Sequence, residues 1–138
     1  MISAWFSAFV FTQALEMPIY LAAFRHRVDA RGDPLPPESL RWRLGFAFLA
    51  SMATHPYVWF VIPVLFSSHA WLRLVAWSPG VEQWRYELFF VTAESFAVVA
   101  EGLLLRALRV PHPLLWALVA NATSAGLGML LRELTGWP

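Results

Sequence analysis

Four long apolar segments dominate this sequence and leave little chain for anything else. They cover residues 2–24, 44–66, 86–105 and 114–131. A helix needs roughly 20 apolar residues to cross the hydrocarbon of a bilayer. Charged residues make up only 14% of the chain, whereas they make up about a quarter of a soluble domain. The sequence therefore predicts an all-α integral membrane protein, a bundle of four helices forming a single transmembrane domain over residues 1–138.

The stretches between these segments are read from their composition. Residues 28–43 are polar and rich in proline, which is typical of a loop outside the hydrocarbon. Residues 67–80 are apolar but too short to cross, and Trp71 and Trp77 favour the headgroup level. We predict a short interfacial helix there. The first apolar segment lacks the basic start of a signal peptide, so we expect a retained span.

Arginine counting predicts the orientation of the bundle. All ten basic side chains are Arg, and seven of them lie in or beside the loops that join the first to the second and the third to the fourth segment. Short cytoplasmic loops are enriched in basic residues. We therefore expect both termini outside and a location in the cell (inner) membrane. The net charge of +1 is too small for a nucleic-acid surface, and no cysteine is present for disulfides or thiolate sites.

Each apolar segment carries a polar side chain near its middle. With a rise of about 1.5 Å per residue from the Arg-rich ends, Glu16 lies roughly 13 Å deep and Asn121 roughly 12 Å deep. His55 and Glu94 both lie roughly 18 Å deep. Glu101 lies shallower, at about 7 Å by the same rise. The depths of Glu16, His55, Glu94 and Asn121 predict one polar layer inside the membrane.

Helical facing supports the same interpretation, because residues three, four or seven apart share a helix side. The shared faces carry Thr12, Gln13 and Glu16 on the first segment, Ser51 and His55 on the second, Glu87, Glu94 and Glu101 on the third, and Asn121 and Ser124 on the fourth. An unpaired polar group in lipid costs several kcal/mol. We expect these faces to point at one another, with Glu87 solvated near the outer surface.

Two prolines accompany this layer. Pro18 follows Glu16 closely and Pro56 follows His55 directly. A proline has no N–H, so a helical carbonyl one turn earlier loses its partner. The freed carbonyls could accept hydrogen bonds or coordinate a cation.

The predicted cluster therefore contains Glu16, His55, Glu94, Glu101, Asn121 and Ser124. Such an oxygen-rich set with one imidazole suits protons or oxygen-preferring cations. If a divalent metal binds, Mg²⁺, Mn²⁺ or Fe²⁺ are candidates, with Glu16, His55, Glu94 and Glu101 as ligands. We predict a transporter-like or channel-like protein, or a subunit of one. Four helices are few to enclose a transport pathway across the membrane, so we expect a homo-oligomer or a partner membrane subunit.

Two alternatives stay open. The protein could be a membrane-embedded enzyme on a lipid-like substrate, with Glu94 or Glu16 as general acid or base and His55 orienting or exchanging the proton. It could instead be a structural or assembly subunit whose glutamates only hydrogen-bond neighbouring helices. No zinc-hydrolase motif or serine-hydrolase elbow is present in the sequence.

The same residues carry a resemblance. With Thr54-His55-Pro56 in the second segment, Glu94 and Glu101 in the third, and Asn121 with Ser124 in the fourth, the sequence resembles a widespread set of small four-span membrane proteins of bacteria and archaea. The resemblance covers most of the chain. It implies that these residues act as one unit, and it brings no assigned activity with it.

Overall fold

The computed structural model describes residues 2–136, and within them it contains helices and no strand. In chain order the helices are α1 (Ile2–Ala23), α2 (Leu40–Pro56), α3 (Ile62–Leu65), α4 (His69–Trp77), α5 (Arg85–Ala107) and α6 (Pro113–Thr135). Four stretches are long and apolar enough to cross a membrane, namely Ile2–His26, Leu40–Leu65, Gly80–Ala107 and Pro113–Thr135. The predicted all-α bundle with four candidate membrane spans is confirmed.

The helix ends differ from the predicted bounds for local reasons. The second span begins at Leu40, before the predicted residue 44, because the Ser39 side chain caps the helix by accepting a hydrogen bond from the Trp42 backbone N–H at 3.2 Å. The fourth span continues to Thr135, past the predicted residue 131. It ends at Gly136, whose φ of 72° is the left-handed conformation that glycine adopts without strain.

The two prolines affect their helices differently. Pro18 lies inside α1, which continues as one helix to Ala23. Pro56 ends α2, and a single π-helical turn, Tyr57–Val61, connects it to α3. The π-helical turn begins two residues after His55. Such turns are frequent at functional sites in helices.

The four long helices form a ring. α1 packs on α2 and α6, and α5 packs on α2 and α6. The tightly packed part of this bundle consists mainly of small and aromatic residues: Tyr20, Ala23, Phe24, Ala47, Ala50, Leu105, Val110, Ala117 and Ala120. Small side chains let helix backbones approach closely. This core fills the end of the bundle beside the two Arg-rich loops.

Arg27 ties those two loops together. Its Nε donates to the Leu108 carbonyl at 2.7 Å, and its Nη1 contacts the Glu38 carboxylate at 2.6 Å. The guanidinium also lies 4.6 Å from the centre of the Trp42 ring. A bond from the Val28 backbone N–H to the Arg109 carbonyl, at 3.0 Å, adds a direct link between the loops. The Arg-rich end of the bundle is therefore closed.

The predicted short helix between the second and third spans is present as α4. Its Trp71 is buried, packs on Phe66 at 5.0 Å between ring centroids, and donates from Nε1 to the Glu82 carboxylate at 3.0 Å. These contacts hold α4 against the start of the third span. Its position at the membrane interface stays a prediction.

Candidate intramembrane site

Glu101 is the point at which all four long helices meet. Its carboxylate accepts hydrogen bonds from the Tyr20 hydroxyl on α1, from Thr54 Oγ1 on α2 at 2.6 Å, and from Asn121 Nδ2 on α6 at 2.6 Å. Glu101 itself is only 1% exposed. Three donors from three helices thus converge on one buried acceptor of a fourth helix. We call Glu101, Tyr20, Thr54 and Asn121 the four-helix node.

Glu16 lies next to this node on α1. Its Oε1 accepts a hydrogen bond from Ser124 Oγ on α6 at 2.6 Å. Ser124 Oγ also lies 3.1 Å from the Asn121 carbonyl oxygen, which brings Glu16 within one turn of α6 from the node. The second carboxylate oxygen, Oε2, is buried without a hydrogen-bond partner in residues 2–136. Ser51 lies near it on α2, and its Oγ is likewise buried and unpartnered in that part of the chain.

A cavity of about 430 Å³ lies between the helices beside these residues. All six residues of the predicted cluster line it, together with Thr12, Ser51 and Thr54. The rest of the wall is mostly apolar and aromatic, with Phe89, Phe90 and Trp59 among its members. The cavity is neither fully enclosed nor flat, and it extends along α5 and α6 as far as Tyr86 and Arg132. It therefore has a polar end deep in the bundle and an apolar middle.

His55 occupies the α2 side of the cavity in aromatic surroundings. Its ring centroid lies 5.2 Å from that of Phe9, 6.1 Å from that of Trp5 and 6.0 Å from that of Trp59. Its Nε2 is buried and has no hydrogen-bond partner among residues 2–136. An imidazole nitrogen is both a hydrogen-bonding group and a proton carrier. An unpartnered one beside a cavity is available to a ligand.

Glu94 completes the polar end from α5. It lies on the cavity wall, is partly buried, and has no hydrogen bond or ion pair to any side chain in the described part of the chain. It is close enough to Glu16 for the two carboxyl groups to interact electrostatically. Glu94 is therefore the carboxyl group of the cluster that the bundle leaves most available.

The structure thus divides the predicted cluster. Glu101 and Asn121 belong to the four-helix node, Ser124 joins Glu16 to it, and Glu94 and His55 face the cavity. The predicted depths group Glu94, rather than Glu101, in one layer with Asn121. The hydrogen bonds put Glu101 there instead.

The supporting residues are also divided. Thr12, Ser51 and Thr54 line the cavity. Gln13 points toward α2, where its Nε2 donates to the Phe48 carbonyl at 3.4 Å. Pro18 is exposed on the outside of α1, and Pro56 is partly buried, and neither lies on the cavity wall.

Two residues of this region were missed by sequence reasoning. Tyr20 is fully buried and lies one helical turn after Glu16, so the spacing of four and the phenolic hydroxyl could have identified it. Arg132, which lies outside the two Arg-rich loops, is also on the cavity wall. Its spacing of eight residues from Ser124 places it on the same face of the fourth segment, and that spacing could have identified it.

The described residues do not form the ligand set of a metal ion. Within residues 2–136, no three of the His, Asp and Glu side chains are grouped closely enough to hold a metal ion. Glu101 already accepts three hydrogen bonds, and His55 is surrounded by aromatic rings. The residues proposed as ligands thus lie on one cavity wall without forming a coordination site.

The chain is a small polytopic membrane protein with a buried polar cluster centred on Glu101. No known protein family, no curated protein and no solved structure matches it.

Proposed function

We propose that the cavity binds a small lipid-like molecule and that Glu94 and His55 exchange protons with it, so that the protein acts as a membrane-embedded enzyme. The observation that carries this proposal is the cavity itself. Its volume of about 430 Å³ falls within the roughly 300–1,000 Å³ of small-molecule sites. Its wall is mostly apolar, and polar atoms without partners in the described chain are concentrated at its deep end. That is the pattern of a site for a molecule with an apolar body and a polar end.

The division of roles follows from which polar groups are already satisfied. Glu101 is engaged by three donors and supports the bundle, so a ligand could reach its oxygens only by breaking those bonds. Glu94 and the Nε2 atom of His55 have no such bonds within residues 2–136. General acid–base catalysis needs groups that can approach the substrate within hydrogen-bond reach. We assign Glu94 as the general acid or base and His55 as the group that orients the substrate or exchanges its proton.

Cross-linking tests whether the cavity binds a lipid-like molecule. The probe is a fatty alcohol that carries a diazirine, incubated with the purified protein in nanodiscs and irradiated. Mass spectrometry should find adducts on the cavity faces of α5 and α6. Ala93 lies on the cavity wall and is 2% exposed, so Ala93→Phe should remove these adducts. Val91 is 58% exposed on the same helix, so Val91→Phe is the matched control and should keep them.

Ala125→Phe provides a second obstruction from α6, in case Ala93→Phe does not fold. Adducts confined to lipid-facing residues, or unchanged by either obstruction, would contradict the binding proposal. The proton role is tested by the pH dependence of cross-linking, which Glu94→Gln should flatten. Glu87 is exposed on the same helix, and Glu87→Gln should leave that dependence intact.

Proton or cation movement is the second candidate, and a different observation favours it. Ser124 and Asn121 connect Glu16 to Glu101, so acidic groups from two helices are joined through one short polar path. At the Arg-rich end, however, the bundle is filled by its apolar core. A pathway across the membrane would then need a second copy or a partner subunit. Flux through liposomes that Glu94→Gln abolishes would favour this candidate over the enzyme.

We also propose the membrane location and orientation that the sequence predicts. The inner-membrane location, the outward termini and the kinship with small four-span proteins rest on the arginine distribution and on the residues that carry the resemblance. A role as an assembly subunit is less well supported, because the donors around Glu101 come from this chain's own helices.

A further inference from the structure

The mouth of the cavity carries a basic residue that the proposed acid–base chemistry does not use. Arg132 lies on the cavity wall near the end of α6 and is exposed. Its guanidinium lies 6.0 Å from the centre of the Tyr86 ring, which also lines the cavity. Among residues 2–136 it forms no ion pair with a carboxylate. An arginine that lies beside an aromatic ring and has no ion-pair partner among these residues is suited to bind an anionic group.

The opposite end of the cavity has the reverse character. Glu16, which is 1% exposed, has one buried carboxylate oxygen without a hydrogen-bond partner in the described chain, and Glu94 lines the same cavity within electrostatic range of it. Carboxylate oxygens accept hydrogen bonds. A ligand group that reaches this end should therefore donate a hydrogen bond, as a hydroxyl does.

The separation of the two ends follows from α6. Ser124, Gly128 and Arg132 are spaced by four residues and all line the cavity, so they lie on one face of the helix. The eight residues from Ser124 to Arg132 correspond to about 12 Å along the axis. Between them the wall is apolar, with Met129 on α6 and Phe89 on α5. The cavity thus has a cationic end, an apolar middle and an acceptor end.

We infer that the ligand is a single-chain amphiphile that carries an anionic group at one end, bound by Arg132, and a hydroxyl group about 12 Å away, bound by Glu16 and Glu94. This inference rests on the proposed function, since it names the substrate class of the same cavity. Charge complementarity selects this ligand over a neutral lipid, which would leave Arg132 unpaired, and over a simple fatty acid, which would leave the acceptor end unpaired.

Competition against the diazirine-bearing fatty alcohol tests the inference. The competitors are ω-hydroxydodecanoate, dodecanoate, dodecanol and inorganic phosphate. Hydrogen bonds to charged groups change affinity by about tenfold or more. We expect ω-hydroxydodecanoate to compete at least about tenfold more strongly than dodecanoate or dodecanol. Arg132→Gln should remove the advantage of the carboxylate and leave competition by dodecanol unchanged.

Arg73→Gln is the matched control, because Arg73 is exposed on α4 and does not line the cavity. It should leave all four competitors unchanged. Equal competition by dodecanol and ω-hydroxydodecanoate, or an effect of Arg73→Gln equal to that of Arg132→Gln, would overturn the inference. Competition by inorganic phosphate alone would also overturn the inference, because the site would then bind an anion without needing the alkyl chain of the ligand.

The two proposals can fail separately. If Ala93→Phe still removes the cross-links but Arg132→Gln changes nothing, the cavity binds lipid-like molecules and only the ligand class is wrong. If the fatty alcohol does not label the cavity of the folded wild-type protein, the proposed function itself is wrong.

Discussion

Removing the Glu101 side chain should destabilise the bundle more than any other change in the polar cluster. Glu101→Ala deletes three interhelical hydrogen bonds at once, to Tyr20, Thr54 and Asn121. Interhelical hydrogen bonds in membrane proteins contribute about 0.6 kcal/mol on average and about 1.7 kcal/mol at most. The loss is therefore about 2–5 kcal/mol, to which the space left by the side chain adds.

Glu101→Ala affects the three donors differently, because two of them have a second acceptor. Thr54 Oγ1 keeps the Ser51 carbonyl oxygen at 3.1 Å, and Asn121 Nδ2 keeps the Ala117 carbonyl oxygen at 3.0 Å. Tyr20 is fully buried, and Glu101 is the acceptor of its hydroxyl. We expect Tyr20→Phe to cost about 1 kcal/mol in the wild-type protein. In the Glu101→Ala background it should cost nothing or even stabilise, because the phenylalanine removes an orphaned hydroxyl.

Reversible unfolding in mixed micelles with increasing sodium dodecyl sulfate, followed by circular dichroism, measures the free energies of unfolding for this double-mutant cycle. Glu101→Gln keeps an acceptor oxygen and should lose less than half of what Glu101→Ala loses. Glu87→Ala, on the same helix but exposed, is the control and should stay within about 0.5 kcal/mol of wild type. A loss below about 1 kcal/mol for Glu101→Ala, or additive effects of Tyr20→Phe, would refute the four-helix node.

Two further predictions concern the ends of the bundle. The Asp29 carboxylate accepts hydrogen bonds from the backbone N–H groups of Asp33 and Arg31, which lower the pKa of this exposed side chain below its usual 3.8. The ionised Asp29 carboxylate stabilises the loop above its usual pKa, and this stabilisation is lost as the pH falls through the lowered pKa. An NMR titration of the Asp29 carboxyl carbon measures this pKa. A pKa at or above 3.8 would contradict the hydrogen bonds. For orientation, single cysteines at Ala30 and Gln83 can be labelled from outside intact cells, since the chain has no cysteine of its own. Gln83 should react and Ala30 should not, and the reverse result would invert the predicted topology.

The spans were predictable because hydropathy depends on composition and length alone. A stretch of about 20 apolar residues needs no knowledge of its neighbours to be recognised as a helix that can cross a bilayer. Even the third span, which contains Glu87, Glu94 and Glu101, is one continuous helix, Arg85–Ala107. The helix ends were less predictable, since the start at Leu40 depends on a side-chain cap from Ser39.

The pairing of polar residues was harder to predict, because it depends on the relative height and rotation of four helices. For example, α2 begins at Leu40, four residues before the predicted start of the second span. An error of three residues in relative height moves a side chain by about 4.5 Å along the axis and turns it by about 60° around the axis. Small errors of this kind decide whether Glu94 or Glu101 meets Thr54. The six residues that the sequence predicted line one cavity, but the sequence did not indicate which of them touch.

The difference between Glu101 and Glu94 has a functional consequence that hydropathy cannot express. Both are glutamates on the same face of α5, two helical turns apart. Glu101 has its oxygens occupied by three neighbouring helices, whereas Glu94 faces a cavity with no hydrogen-bond partner in residues 2–136. A carboxyl group that already stabilises the fold can act on a ligand only by giving up that stabilisation. A substitution at Glu94 should therefore impair function in a protein that still folds, and a substitution at Glu101 should impair folding first.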